Sequence, residues 1–477
     1  MGRRTPLPIF EKVEILDAGS EGKAVARIDN YVIFVPFVAP GDVVDIRVVK
    51  RRKKYLEGKA VKMHQKSPLR IEPKCEHFGL CGGCKWQHLA YSDQLKYKQK
   101  QVVDNFERIG KIANPPVAPI IGSKEQYFYR NKLEFTFSNR RWLDEAELNA
   151  DENMDMNGLG FHLPGMFDRI IDLENCYLQA EPSNTIRNEL NRFAREQNYS
   201  YYDSREHKGF LRNIIIRNST TGDLMVIVIF GKEDKTKIEA VLAFLEERFP
   251  EITSLNFVVN TKMNDSINDL AVEHRSGSRY ILEKMEDLTF RVGPLSFYQT
   301  NAPQAYELYK VAREFAGLSG NEVVYDLYCG TGTIANFVAR KAAKVVGIEY
   351  VESAISDAYE NSKLNEIDNT RFFAGDMAKV LVPSFFDENG FPDVVITDPP
   401  RAGMHPKVVE QLLLALPPKI VYVSCNPASQ ARDIEMLAEK YTVEKVQPVD
   451  MFPQTHHVEN VTLLVRKDSN QGVQRDS

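Results

Sequence analysis

No stretch of the chain is apolar for long enough to cross a bilayer. The longest candidate, 224–230, has seven residues and predicts a buried strand. The start, MGRRTPLPIF, carries charge with no apolar run behind it, so no secretory signal is expected, and Pro6 breaks the myristoylation pattern. No internal repeat is visible. These absences argue against a membrane partner and point to the cytoplasm, where thiols stay reduced. Cysteine is scarce, six in 477 residues, and those six need an explanation other than disulfides. An overall positive charge is lacking too. The net charge of −5 argues weakly against a nucleic-acid partner.

The local distribution of charge says otherwise. Between positions 50 and 70 stand nine Lys or Arg (Lys50, Arg51, Arg52, Lys53, Lys54, Lys59, Lys62, Lys66 and Arg70) against one acid, Glu57. Screening confines charge effects to roughly 8 Å at physiological salt, so such a run can hold phosphates on an acidic protein. It can equally be a solvated strand edge. The runs 31–37 and 43–49, separated by turn signals at Gly19, Asp29-Asn30 and Gly41-Asp42, predict short strands and a small all-β module of the OB-barrel type.

A chain of this length predicts two or three domains. The boundaries we expect are 1–65 for the β module, 66–290 for a mixed α+β centre, 291–466 for an α/β domain, and 467–477 for a disordered tail. In the centre, 92–111 predicts a helix capped by Ser92 or Asp93, which packs on the α/β domain. Segments 213–217 and 224–230 predict strands, 237–248 a helix, and 144–157 a polar loop. From about Val292 the pattern becomes strand runs (323–327, 344–349, 393–397, 420–424) alternating with helical stretches. That is the signature of a mostly parallel, Rossmann-like sheet with helices on both faces.

Ligands bind such sheets at the carboxyl ends of the strands, and four motifs fall there. Asp326-Leu-Tyr-Cys-Gly-Thr-Gly-Thr333 follows one strand. Its Gly330 and Gly332 allow close backbone approach to a nucleotide, and Glu349 ends the next strand where ribose hydroxyls would lie. Gly330, Gly332 and Ala335 also satisfy a dinucleotide fingerprint, so NAD and S-adenosylmethionine both remain open. Asp376 follows the third strand. Asp398-Pro-Pro-Arg401 and Ser424-Cys425-Asn-Pro427 follow the fourth and fifth, placing a carboxyl and a thiol in one crevice. A thiolate that adds to carbon 6 of uracil makes carbon 5 nucleophilic, and the adduct then needs a base to remove the carbon-5 proton. Glu459, in Phe452-Pro-Gln-Thr-His-His-Val-Glu459, is the candidate base. A direct catalytic role for His456 or His457 is not expected.

In this order, DLYCGTG, DPPRAG, SCNPASQARD and FPQTHHVE resemble the RNA uracil-5 methyltransferases, and Ser296-Phe-Tyr-Gln-Thr-Asn301 resembles that family's pre-methylase motif. The resemblance implies Cys425 as nucleophile and Glu459 as base. It implies Gln299, Tyr328, Gly330, Glu349, Asp376 and Asp398 as S-adenosylmethionine-site residues, with Gln299 and Asp398 near the target base. Tyr129-Arg-Asn-Lys132 and Leu211-Arg-Asn213 fit motifs of the family's central domain.

Cys75-x5-Cys81-x2-Cys84 forms a tight trio, with Cys176 standing alone further on. Four cysteines suit zinc or an iron–sulfur cluster, and three plus one is nearer to cluster spacing, with no metal a third possibility. The pattern resembles the [4Fe–4S] site of the family's ribosomal-RNA branch, and the β module resembles its TRAM domain. The resemblance thus implies a monomeric 23S rRNA uridine methyltransferase, with a tRNA T-loop enzyme as the alternative. An NAD and iron–sulfur oxidoreductase would leave DPPR, SCNP and the basic module unexplained. A non-catalytic RNA binder would predict loss of Cys425 or Glu459, and both are present. A cytosine-5 enzyme would need a proton donor toward the ring nitrogen in place of the glutamate motif.

Overall fold

The computed structural model describes residues 7–149 and 154–467. The expected tail therefore lies outside the described residues, except for Lys467, whose N–H donates to the Lys440 carbonyl. Among the described residues no helix is long and apolar enough to cross a membrane.

The N-terminal sheet has the strand order Ile9–Glu14, Val43–Arg51, Tyr55–Gln65, Tyr31–Pro36, Lys23–Ile28, Asp17–Ala18. Its two edges are consecutive in the chain. Ile9–Glu14 pairs with Val43–Arg51 on one side, while Asp17–Ala18 pairs with Lys23–Ile28 on the other. One bent strand thus closes a five-stranded barrel, with a single parallel contact between Tyr31–Pro36 and Tyr55–Gln65, as an OB-type fold requires. Ala26, Ile33, Val35, Val44 and Ile46 fill its core. The basic run occupies the long hairpin, and its lysines are exposed. Arg70 is the exception. Its guanidinium clasps fully buried Asp42, which also accepts from the Ala39 and Ser67 amides. Arg70 therefore holds the barrel together and is not available to a phosphate.

A seven-stranded mixed sheet follows, from Glu273–Gly277 at one edge to Ile170–Asp172 at the other. Helices Ser183–Glu196 and Lys235–Arg248 cover one face through Ile186, Leu190, Val241 and Leu245. The other face, with Met225, Ile227 and Ile229, joins the core of the last sheet. The expected polar loop at 144–157 contains a short helix, Glu145–Leu148.

The last sheet is also seven-stranded, in the order Thr370–Ala374, Lys344–Glu349, Val323–Leu327, Val394–Thr397, Lys419–Ser424, Glu459–Arg466, Tyr441–Val449. The first five strands are parallel, and Glu459–Arg466 alone runs against them, pairing antiparallel with Lys419–Ser424 on one side and Tyr441–Val449 on the other. Chain order reverses between Val323–Leu327 and Val394–Thr397, the switch point at which such sheets open a crevice. The N-cap of helix Tyr91–Arg108 is Ala90, two residues before the Ser92 cap expected. It packs on this sheet's outer layer, burying Val102 and Phe106 beside Tyr422, Ala431 and Ile434.

Candidate active site

Gly332, at φ 73°, begins helix Thr333–Ala339, and a Cβ there would meet the Ala358 side chain at 2.9 Å. Glycine is required because two helices close on the turn. Gly330, at φ 53°, is different: a Cβ there would meet nothing within 4 Å. The space beside Gly330 is open, which is what a ligand cradle needs. Glu349 faces it, accepting from the Gly330 N–H at 3.2 Å and from the Val351 N–H at 3.0 Å. Tyr328, two residues before Gly330, occupies the left-handed region (φ 65°), and burial pushes its phenol up to about 12. Asp376 caps helix Met377–Val380 by accepting from the Ala378 N–H. Gln299 bonds the buried Tyr309 hydroxyl, and its carbonyl accepts from Asn131.

Cys425 and Glu459 meet because of strand register. Ser424 pairs with Asn460 across an antiparallel ladder, so the residue leaving one strand lies against the residue entering the other. Burial, then the Glu459 and Asp398 carboxyls, push the Cys425 thiol up to about 11, and Arg401 opposes them. Glu459 is pushed up to about 8 by burial and then by Asp398, again opposed by Arg401. Asp398 is raised by burial to about 7. The loop of Cys425 is locked to the loop of Asp398. Asn426 Nδ2 and Ser429 Oγ both donate to the Arg401 carbonyl at 3.0 Å, and Asn426 caps helix Pro427–Leu437. A helix N-terminus beside a thiol favours its ionised form.

Two site residues were not singled out from the sequence, although both lie inside quoted motifs. Asp326 is fully buried with no side-chain partner for its carboxylate, and burial with the nearby Asp398 holds it well above the usual carboxylate range, the Ala335 N–H opposing them. The Thr397 hydroxyl and the Tyr298 hydroxyl are buried without partners. Orphaned polar atoms at this depth cost free energy unless a ligand satisfies them. Arg401 is the second; it is the cation common to Cys425, Glu459, His456 and His457. The two histidine rings lie 4.1 Å apart with their planes tilted by 37°, and burial lowers them to about 4 and about 3, so both are neutral at physiological pH.

Cys75, Cys81, Cys84 and Cys176 line one cavity of about 280 Å³, together with Leu133 and Leu173. All six cysteines of the chain are free thiols. Among the described residues no three His, Cys, Asp or Glu side chains converge closely enough to grip a metal ion as they stand. The volume bears on what fits. A zinc ion sits about 2.3 Å from its sulfurs and leaves no void, whereas roughly 150 Å³ already admits a benzene-sized body. The Gly83 N–H points at Cys81 Sγ at 3.4 Å, and burial pushes the Cys84 thiol up to about 12.

Comparison with known proteins agrees with this arrangement. A family model described as tRNA (uracil-5-)-methyltransferase matches residues 219–467, and a TRAM-domain model matches residues 11–61. An RNA methyltransferase of Bacteroides thetaiotaomicron is 57% identical, over 93% of this chain and 99% of its own. One of Porphyromonas gingivalis is 52% identical, over 95% and 99%. Among solved structures, the Pyrococcus abyssi tRNA (uracil-54, C5)-methyltransferase in complex with S-adenosyl-L-homocysteine superposes with a TM-score of 0.74. It is 28% identical, covering 95% of this chain and 100% of that one.

Proposed function

The chain belongs to the RNA (uracil-5) methyltransferase family, and on that premise we propose that it methylates carbon 5 of a specific uridine in 23S rRNA through a covalent adduct on Cys425. The observation that carries the mechanism is the register that sets Cys425 against buried Glu459. Cys425 Sγ bonds to carbon 6 of the uracil, and the ring's electron pair moves toward the carbon-4 oxygen. S-adenosylmethionine, when bound, would supply an electrophilic methyl group to carbon 5, its sulfur–methyl bond breaking to leave S-adenosylhomocysteine. Glu459 then removes the proton from carbon 5, the 5,6 double bond re-forms, and the bond to sulfur breaks to release Cys425. Gly330, Glu349, Tyr328 and Asp376 would line the nucleoside end of the cofactor. Gln299, Asp398 and the orphaned hydroxyls would lie toward the reacting ring. Arg401 favours the ionised forms of both reacting side chains.

Division of the chain into 1–65, 66–290 and 291–466 gives each part a task in this reading. The exposed basic hairpin holds phosphates beside the target, and the crevice takes one extruded base. The four cysteines would hold a [4Fe–4S] cluster, whose bulk suits the cavity they line, and it would order the central segment. The cysteine set and the TRAM barrel together favour the ribosomal substrate. The second reading, a tRNA T-loop uridine, is favoured by the Pyrococcus abyssi enzyme, whose whole length this chain matches. Mass mapping of 5-methyluridine in a strain lacking the protein separates them. Loss from 23S rRNA alone is expected, and loss from tRNA alone would overturn the ribosomal assignment.

The same geometry dictates a pH profile. A base works only when deprotonated, and Glu459 is raised to about 8 while the thiol is raised to about 11. At neutral pH both active forms are therefore minorities in the free enzyme, and raising the pH populates them. We expect kcat/KM to rise with pH through about 8 without an earlier plateau. A profile that is flat between pH 6 and 9 would contradict these environments.

A further inference from the structure

The loop that ends in Glu459 is held by segments far from it in sequence. Four successive carbonyls each accept a hydrogen bond from another part of the chain. Asn301 donates to Met451, Lys98 to Phe452, Tyr129 to Pro453, and the backbone amides of Lys85 and Trp86 to Gln454. Lys98 also pairs with Asp450 at 2.6 Å, both side chains being fully buried, and Tyr91 donates to the same carboxylate. Gln454 occupies the left-handed region at φ 67°, which costs a non-glycine residue free energy unless its surroundings enforce it.

What enforces it is Gln94. This side chain is fully buried on helix Tyr91–Arg108. Its Nε2 donates toward the Trp86 carbonyl (3.1 Å), the Leu89 carbonyl (3.0 Å) and Gln454 Oε1 (3.0 Å), and its Oε1 accepts from the Gln454 N–H at 2.9 Å. One amide thus ties the chain leaving Cys84 to the chain approaching Glu459. Lys85 and Trp86, the two residues after Cys84, complete the junction from the other side. Displacement of the cysteine-bearing segment would reach Gln454 directly through these bonds.

We propose that Gln94 is a positioning residue for the elimination step, fixing Glu459 relative to the target base by holding Gln454 against the cysteine-bearing segment. The proposal rests on Glu459 being the base, and it requires no contact between Gln94 and substrate. It assigns a step as well as a residue: adduct formation at Cys425 proceeds, and resolution of the adduct slows.

The test uses the full-length holoenzyme with Gln94→Met, which keeps the volume and removes the hydrogen bonds. Gln94→Glu, which keeps the shape and can retain one donor when protonated, serves as the second variant. We expect kcat to fall about 10- to 100-fold for the methionine variant, the scale on which a misplacement of roughly 1 Å acts, and less for the glutamate variant. KM for RNA and the affinity for S-adenosylmethionine should stay within about twofold on the same argument. The decisive readout is the covalent protein–RNA species on a denaturing gel, which should accumulate during steady-state turnover. Slow turnover without that accumulation, weakened RNA or cofactor binding in place of a kcat effect, or failure of both variants to remain folded would each overturn the proposal. Glu459→Gln run alongside separates the two claims. If it traps no adduct, the reading of Glu459 is wrong irrespective of Gln94.

Discussion

Cys425→Ala is expected to lower turnover by roughly 10⁴- to 10⁶-fold, the range seen when a covalent nucleophile is removed, while binding of S-adenosylmethionine is unchanged. The size of the effect follows from the substrate. Carbon 5 of uracil is a poor nucleophile until something adds at carbon 6, and the site offers one thiol there. Cys329, the other cysteine at this sheet edge, is buried among apolar neighbours in the glycine loop, and burial holds its thiol well above the ordinary range. It cannot substitute. Unchanged cofactor binding is expected because Cys425 lies on the loop after Lys419–Ser424, whereas the glycine turn follows Val323–Leu327 two strands away. Isothermal titration with the cofactor and a single-turnover methyl-transfer assay measure both halves.

Glu459→Gln is expected to slow turnover by about 10²- to 10⁴-fold, the usual reach of a general base, and to leave a covalent protein–RNA complex. Glutamine keeps the shape but cannot accept the proton from carbon 5. The substitution also removes one of the two carboxyls that push the Cys425 thiol upward. Adduct formation should therefore be no slower than in the natural enzyme and should extend to lower pH. Slow formation with no accumulated adduct would mean that Glu459 acts before methyl transfer.

Much of the fold could be read from sequence for a physical reason. Val323–Leu327, Lys344–Glu349 and Lys419–Ser424 lie among parallel strands with both faces covered, so each shows as a mostly apolar run without alternation. Their ends carry the glycine loop, Glu349 and Cys425, which is why the crevice could be placed from the sequence. The nearness of Cys425 to Glu459 could be expected only through the family's motifs, because it depends on an antiparallel pairing between residues 34 positions apart. Closure of the N-terminal barrel was hidden in one bent strand whose register shifts between Phe10 and Val13. Arg70 reads as a surface cation in sequence because its partner, Asp42, stands 28 residues earlier.

Helix Tyr91–Arg108 could be expected from the sequence, but the task of its buried polar side chains could not. Its sequence is mostly polar, yet Gln94, Lys98, Val102 and Phe106 follow one another at intervals of four and form a single buried stripe. Two apolar positions announced the stripe, and two polar ones extended it to partners more than 350 residues away. No local pattern distinguishes such a lysine from a solvated one. An i, i+4 continuation of an apolar stripe into polar residues is the signal that was available.

The central claim is that Cys425 forms a bond to the target base. A substrate RNA carrying 5-fluorouridine tests it most directly, because fluorine at carbon 5 blocks the elimination that would free the enzyme. The account predicts a stable protein–RNA complex that, after digestion, gives one peptide bearing a methylated fluorouridine on Cys425 and no other cysteine. Complete methylation with no covalent complex, or a complex through a different residue, would contradict it.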